Sequence, residues 1–133
     1  MLGNKDPTNW MQADCYAPVV AQWMVQLLAA LSIKFRSTLK QGDCKNAFVQ
    51  AKLPEGEVTI VCPPVGCPHS DIDTYWCLRK SLYGLKQDPK HWYNLISKHL
   101  ESPEVGLHCC QNEWCLFIGN PLPGKPPLHF LCR

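Results

Sequence analysis

A run without a single charge covers residues 15–33 and is followed at once by Lys34 and Arg36; nothing else in the chain constrains its folding as much. A stretch of about 20 apolar residues is long enough to cross a bilayer as a helix. Two features favour a helix against a protein core instead. Gln22 and Gln26 stand four residues apart and make a polar stripe. Val20, Trp23, Met24, Leu27, Leu28, Leu31 and Phe35 recur at helical spacing away from that stripe. The pattern predicts an amphipathic core helix over about 18–36. Pro18 falls near its first turn, where a missing N–H costs little. No membrane association is expected.

The chain has 133 residues, about one domain, and at 46% apolar it can bury a core. Twelve prolines and eight glycines punctuate it heavily, so short elements are expected. A net charge of +2 says nothing about partners, but its distribution does. Residues 34–52 hold five basic side chains against Asp43, and residues 79–99 hold five against Asp88. The remainder holds three basic and nine acidic residues. Segregation of this kind fits a phosphate-facing side, although two solvated faces produce the same pattern.

Cysteines occur at positions 15, 44, 62, 67, 77, 109, 110, 115 and 132, an odd number that cannot pair completely. No Cys-x-x-Cys is present. The nearest spacings are Cys62-x4-Cys67, Cys110-x4-Cys115 and His129-x2-Cys132, which are wide for a zinc knuckle. Residues 1–5 show no charged-then-apolar leader. Free thiols in a reducing compartment are therefore expected, with an intracellular setting in cytoplasm or nucleus.

Residues 1–14 read as a polar tail. After the 18–36 helix the pattern predicts a short strand over 38–43, a helical stretch over 45–51 and a turn at Leu53-Pro54-Glu55-Gly56. β-Branched residues over 57–62 predict a strand stopped by Pro63 and Pro64, and alternation over 75–82 predicts another. Trp92, Leu95, Ile96, His99 and Leu100 predict a helix over 91–100, with Pro89 near its start. A hairpin is expected over 107–118, turning at Gln111-Asn112-Glu113. A Gly/Pro-rich loop follows over 119–127, then an apolar run over 128–132. Pro123-x-x-Pro126 reads as an ordinary loop before it reads as a docking motif.

Two segments carry the chemistry. Gly42-Asp43-Cys44-Lys45-Asn46-Ala47-Phe48 puts a carboxylate between a predicted strand and a predicted helix, a seat for a hard divalent cation or simply a helix cap. Ser81-Leu82-Tyr83-Gly84-Leu85-Lys86-Gln87-Asp88-Pro89 is a turn into a helix. With Tyr16-Ala-Pro-Val-Val20, Leu27-Leu28-Ala29, Val58, Pro63-Pro64-x-Gly66, Trp92-Tyr93 and Leu116-Phe117, their order resembles the reverse transcriptase of copia-type retrotransposons over about 15–118. The string from Lys80 to Gln87 is the most specific part.

The resemblance implies an α+β fold: a partial polymerase palm with part of the fingers, an antiparallel sheet packed with two main helices. It implies palm-like parts over about 15–52 and 83–133 and a fingers-like part over 53–82. The helices over 18–36 and 90–101 are then expected on one face of a sheet that includes the strand ending at Asp43. By the same resemblance Asp43 is the first catalytic aspartate and a Mg2+ ligand. Phe48 is the aromatic steric gate that excludes a 2′-hydroxyl. Tyr83, Gly84 and Gln87 belong to the turn that meets nucleotide and template, and Lys80, Lys86 and Lys90 fall where phosphates are expected. The implied partners are an RNA or DNA primer–template and deoxynucleoside triphosphates. The implied reaction is attack of the primer's 3′-oxygen on the α-phosphorus with two Mg2+ ions.

The family's Tyr-x-Asp-Asp hairpin is missing from these 133 residues, which contain no Asp-Asp at all. Asp71-x-Asp73 is the only close pair of aspartates and reads as a solvated loop. Asp88 departs from the family's small residue before the proline and brings a negative charge towards the expected nucleotide turn. A truncated domain, inactive by itself, is therefore expected. A non-catalytic nucleic-acid-binding module with a basic face is the second reading, and a cysteine-rich metal-binding protein the third.

Overall fold

The computed structural model describes residues 9–67, 74–120 and 129–131. Its elements in chain order are α1 (Gln12–Cys15), α2 (Gln22–Lys34), α3 (Ala47–Gln50), β1 (Thr59–Val61), β2 (Trp76–Leu78), α4 (Asp88–Leu100), β3 (Leu107–Cys110), β4 (Glu113–Gly119) and β5 (His129–Leu131). The mixture of helices and small antiparallel sheets agrees with an α+β class. Asp71, Asp73, Pro123, Pro126 and Cys132 lie outside the described residues.

The elements fall into two compact units, residues 1–16 with 45–92 and residues 17–44 with 93–133. In the first unit β1 and β2 form a two-stranded antiparallel sheet with Ile60 opposite Cys77. The turn before β1 closes through the Glu57 N–H, which donates to the Pro54 carbonyl at 3.1 Å. Gly56 sits there at φ 92°, a conformation that strains a residue with a Cβ. Residues 12–14, expected as part of a polar tail, form a helical turn with Cys15 instead. The Lys90 ammonium holds it, donating to the Ala13 carbonyl at 2.7 Å and pairing with Asp14 at 3.4 Å.

In the second unit β4 is the central strand of three, flanked by antiparallel β3 and β5. Cys115, Leu116 and Phe117 are consecutive and all buried, so both faces of the sheet are covered at that point. Phe117 is fully buried and packs with Leu100, against Ile96, Leu107 and Cys109. The apolar stripe of α4 therefore makes the contact its spacing predicts. The helix begins at Asp88 rather than 91, with Pro89 in its first turn, where no N–H is needed.

Two expectations fail. Residues 37–44 are exposed and form no strand. The segment Thr38-Leu39-Lys40-Gln41-Gly42-Asp43 is poor in β-formers, and an extended segment without a partner strand is not stable in water. No sheet therefore includes a strand ending at Asp43, and the described strands make two small sheets rather than one. The helix expected over 18–36 is present as α2, but not as a core helix. Only Met24 is buried, while Trp23, Val25, Leu27 and Ile33 are exposed. Met24, Leu28 and Leu31 share one narrow stripe at i, i+4 and i+7; the other apolar residues lie around the rest of the cylinder. The helix ends in a Schellman turn, with Arg36 at φ 49° and the Ser37 N–H donating to the Ser32 carbonyl at 2.9 Å.

Candidate nucleotide site and its buried support

The motif residues of the first unit sit on two short segments. Asn46, in the left-handed conformation at φ 54°, turns the chain into α3, and the Gln50 amide ties back to the Lys45 carbonyl at 2.7 Å. This single turn presents Phe48. The second segment, 81–87, runs from the end of the β2 strand into α4. The Ser81 N–H donates to the Ala51 carbonyl at 2.9 Å, and the Leu53 N–H donates to the Arg79 carbonyl at 3.2 Å. These bonds lay the two segments side by side.

Phe48 and Tyr83 meet there edge to face, with ring centroids 5.1 Å apart and an interplanar angle of 73°. That is a favourable aromatic geometry. Phe48 is half-buried and Tyr83 is 51% exposed, so the pair forms a wall open to solvent on one side. Gly84 follows at φ 100°, which lets the chain reverse towards α4. Lys52 and Lys80 stand opposite each other in an isolated antiparallel bridge, both exposed. Like charges placed directly opposite each other repel, and an anion between them relieves the repulsion.

Gln87 is 2% exposed. Its amide nitrogen donates to Glu57 Oε1 at 2.7 Å, a charge-assisted bond. His91, one turn into α4, brings its Nε2 to 3.2 Å from Glu57 Oε2. Asp88 is equally buried, and its Oδ2 accepts the Leu85 N–H at 3.1 Å. Burial raises the Asp88 carboxyl above its ordinary value, although the Leu85 N–H, Ser81 and His91 all pull the other way. Asp88 is thus folded into the turn rather than displayed to solvent. Lys90 is engaged with residues 13 and 14, and Lys86 also has a partner within the chain.

Asp43 belongs to the second unit, where it is exposed in the irregular segment 37–44. Among the described residues no three His, Cys, Asp or Glu side chains converge to hold a metal ion. The residues present do not fit a pair of Mg2+ ions, which demand several oxygen ligands in near-octahedral geometry. The second unit has its own polar feature. The Tyr93 hydroxyl donates to the Trp114 carbonyl at 2.9 Å, and the Cys109 thiol donates to the same oxygen at 3.4 Å. Burial pushes the Tyr93 phenol up to about 12 and also raises the Cys109 thiol. The eight cysteines described are all free.

Two partners of the site escaped the sequence reading. Glu57 reads there only as the start of a strand, and His91 only as a helix residue. Glu57 meets Gln87 30 residues along the chain and His91 34 residues along it, which no local periodicity reports.

Residues 3–118 match the family described as reverse transcriptase (RNA-dependent DNA polymerase), and the chain belongs to that family. It is 35% identical over 107 residues to the retrovirus-related Pol polyprotein from transposon RE2 of Arabidopsis thaliana, and 34% identical over 107 residues to that from transposon RE1 of the same plant. Each of these alignments covers 80% of this chain. The corresponding polyprotein from transposon TNT 1-94 of Nicotiana tabacum is 31% identical over 90 residues, or 67% of this chain. The chain spans about 7% of the length of each of these curated relatives. No solved structure matches it. No helix among the described residues is long and apolar enough to cross a membrane.

Proposed function

We propose that the chain is a segment of a copia-type retrotransposon reverse transcriptase that supplies the nucleotide-facing wall and part of the phosphate-facing surface. Its palm-like parts are about 15–52 and 83–133, and its fingers-like part is 53–82. The observation that carries this reading is the edge-to-face contact of Phe48 with Tyr83 at 5.1 Å, since it joins the two motifs that carry the resemblance. A ring at Phe48 is suited to exclude a 2′-hydroxyl. Lys80, opposite Lys52, offers point charges to a nucleic-acid backbone, and no base-reading motif accompanies them.

By itself the 133-residue chain does not catalyse extension, because among the described residues no cluster of three metal-ligating side chains forms around Asp43 or elsewhere. The test is a primer-extension assay on the purified chain with an RNA or DNA template. Incorporation that disappears in Asp43→Ala would refute the assignment of inactivity. Binding to a primer–template duplex should weaken steeply as salt is added. Lys80→Ala should lower the slope of log K against log salt by about 1 for each phosphate that is no longer neutralised. An unchanged slope in Lys52→Ala with Lys80→Ala refutes the phosphate role.

A further inference from the structure

Gln87 belongs to the turn assigned to the nucleotide, yet its side chain points away from solvent. It is 2% exposed, and its amide nitrogen is held by a carboxylate at 2.7 Å. A side chain in this position acts from beneath the site. Among the bonds that fix the segment between Ser81 and α4 are three that bear on Tyr83: the Ser81 N–H to Ala51, the Leu85 N–H to Asp88, and the Gln87 amide to Glu57. The first ties the start of the segment to the end of α3, and the second closes within the segment itself. The third reaches Glu57, in the turn that leads into β1, and anchors the far end of the segment. Tyr83 sits between the first bond and the other two, and its ring is the half of the aromatic wall that has no helix of its own to fix it. Glu57 is only 17% exposed in its side chain, and His91 shares its carboxylate, so the group is itself held in place.

We infer that Glu57 is a positioning residue: by holding the buried Gln87 amide it sets the 81–87 turn and so places the Tyr83 ring against Phe48, the wall that would meet an incoming deoxynucleoside triphosphate. The inference rests on the proposed nucleotide site and assigns it a support outside both motifs. Glu57 bonds to Gln87 and His91, and its effect on the rings is transmitted through Gln87.

The test compares the 133-residue chain with Glu57→Ala, Glu57→Gln and Gln87→Met. Glu57→Gln keeps an oxygen that accepts the Gln87 N–H, while Gln87→Met removes the donor at nearly constant volume. Far-UV circular dichroism establishes that each variant is folded. Proton NMR then reads the approach of the Phe48 and Tyr83 rings, and titration with deoxythymidine triphosphate reads affinity. The expected result is separation of the two rings and at least a tenfold weaker affinity in Glu57→Ala and in Gln87→Met. Glu57→Gln should keep the rings together and bind within about threefold of the unaltered chain, a rescue that a merely space-filling Glu57 would not show. Rings that stay together in Glu57→Ala and Gln87→Met overturn the inference, as does their separation with affinity unchanged. If the unaltered chain binds no triphosphate, the nucleotide-site reading fails. The ring geometry then still decides whether Glu57 sets the turn.

Discussion

Asp88→Asn should stabilise the first unit at neutral pH, which is the opposite of what removing a charge from the start of a helix ordinarily does. A carboxylate in the first turn normally gains about 0.3–1 kcal/mol from the helix dipole. Asp88 is buried, however: its Oδ2 accepts the Leu85 N–H at 3.1 Å, and its Oδ1 has no partner within hydrogen-bonding distance. A buried polar atom left without a partner costs about 1–3 kcal/mol, and more when it carries charge. The carboxyl's proton affinity is raised in the folded state, so burial outweighs the favourable terms. The sign follows from linkage. The folded state binds the Asp88 proton more tightly than the unfolded chain does. The resulting stability is fully present below the ordinary carboxylate range and is lost as pH rises through the folded-state value. Asparagine keeps an oxygen for the Leu85 N–H and carries no charge, but its amide needs an acceptor. The net gain at pH 7 should therefore be about 1 kcal/mol, shrinking towards zero near pH 3. Urea unfolding at both pH values, with hydrogen exchange of the amides at 88–92 to localise the effect, measures it. Asp88→Ala is the control: it strips the acceptor from Leu85 and should gain less. An Asp88→Asn variant that is less stable at pH 7, with the deficit vanishing in acid, would show that the dipole wins and would refute the argument.

In the second unit, Phe117→Ala should cost about 3–5 kcal/mol, because the ring is fully buried and its cavity is lined by Leu100, Ile96 and Leu107. Urea unfolding checks this, and a loss below about 1 kcal/mol would mean that the sheet and α4 do not share that core. Tyr93→Phe removes the bond to the Trp114 carbonyl and should cost about 0.5–1.5 kcal/mol. In ultraviolet titration the unaltered chain should show one phenol ionising only at about 12, a step absent from Tyr93→Phe.

What the sequence disclosed is what rests on local pattern or on dense motif strings. The α4 stripe, the hairpin turning at Gln111 and Asn112, and the strand stopped by Pro63 all follow from spacing and from turn chemistry. The family was legible because the string from Lys80 to Gln87 is long and ordered against Asp43 and Phe48. Burial was not legible for α2. Its apolar residues go most of the way round the helix, so periodicity could not say which stripe is covered, and Met24 rather than Trp23 or Leu27 is inside. The strand expected over 38–43 from the local pattern does not form, because the segment holds few β-forming residues and no strand pairs with it. Gln87 was picked out as a contact residue from its motif. That its amide faces inward, towards Glu57, depends on a tertiary bond that no window of sequence contains.

That inward arrangement has an energetic meaning. Ser81, Gln87 and Asp88 are all buried, and Oδ1 of Asp88 and Oε1 of Gln87 lack partners. Each such atom costs about 1–3 kcal/mol, a large fraction of the roughly 5–15 kcal/mol that holds a small domain together. A turn required only to connect β2 with α4 would be more stable with apolar residues at these positions, since buried polar groups rarely repay their desolvation in stability. Burying them gains geometry instead: a hydrogen bond fixes distance and direction, whereas apolar packing tolerates sliding. The cost falls on the one segment that carries Tyr83, beside the one helical turn that carries Phe48. A stability deficit concentrated under an exposed aromatic pair is what a preformed ligand wall requires, because a wall that had to order itself on binding would lose that entropy from its affinity. The same polar residues in an idle turn would be a defect without compensation. Replacing Ser81, Gln87 and Asp88 together by alanine, methionine and alanine separates the two cases: a chain that gains stability while the Phe48 and Tyr83 rings move apart has traded position for stability, while one that gains stability and keeps the rings together shows that the buried polar atoms serve no positioning role.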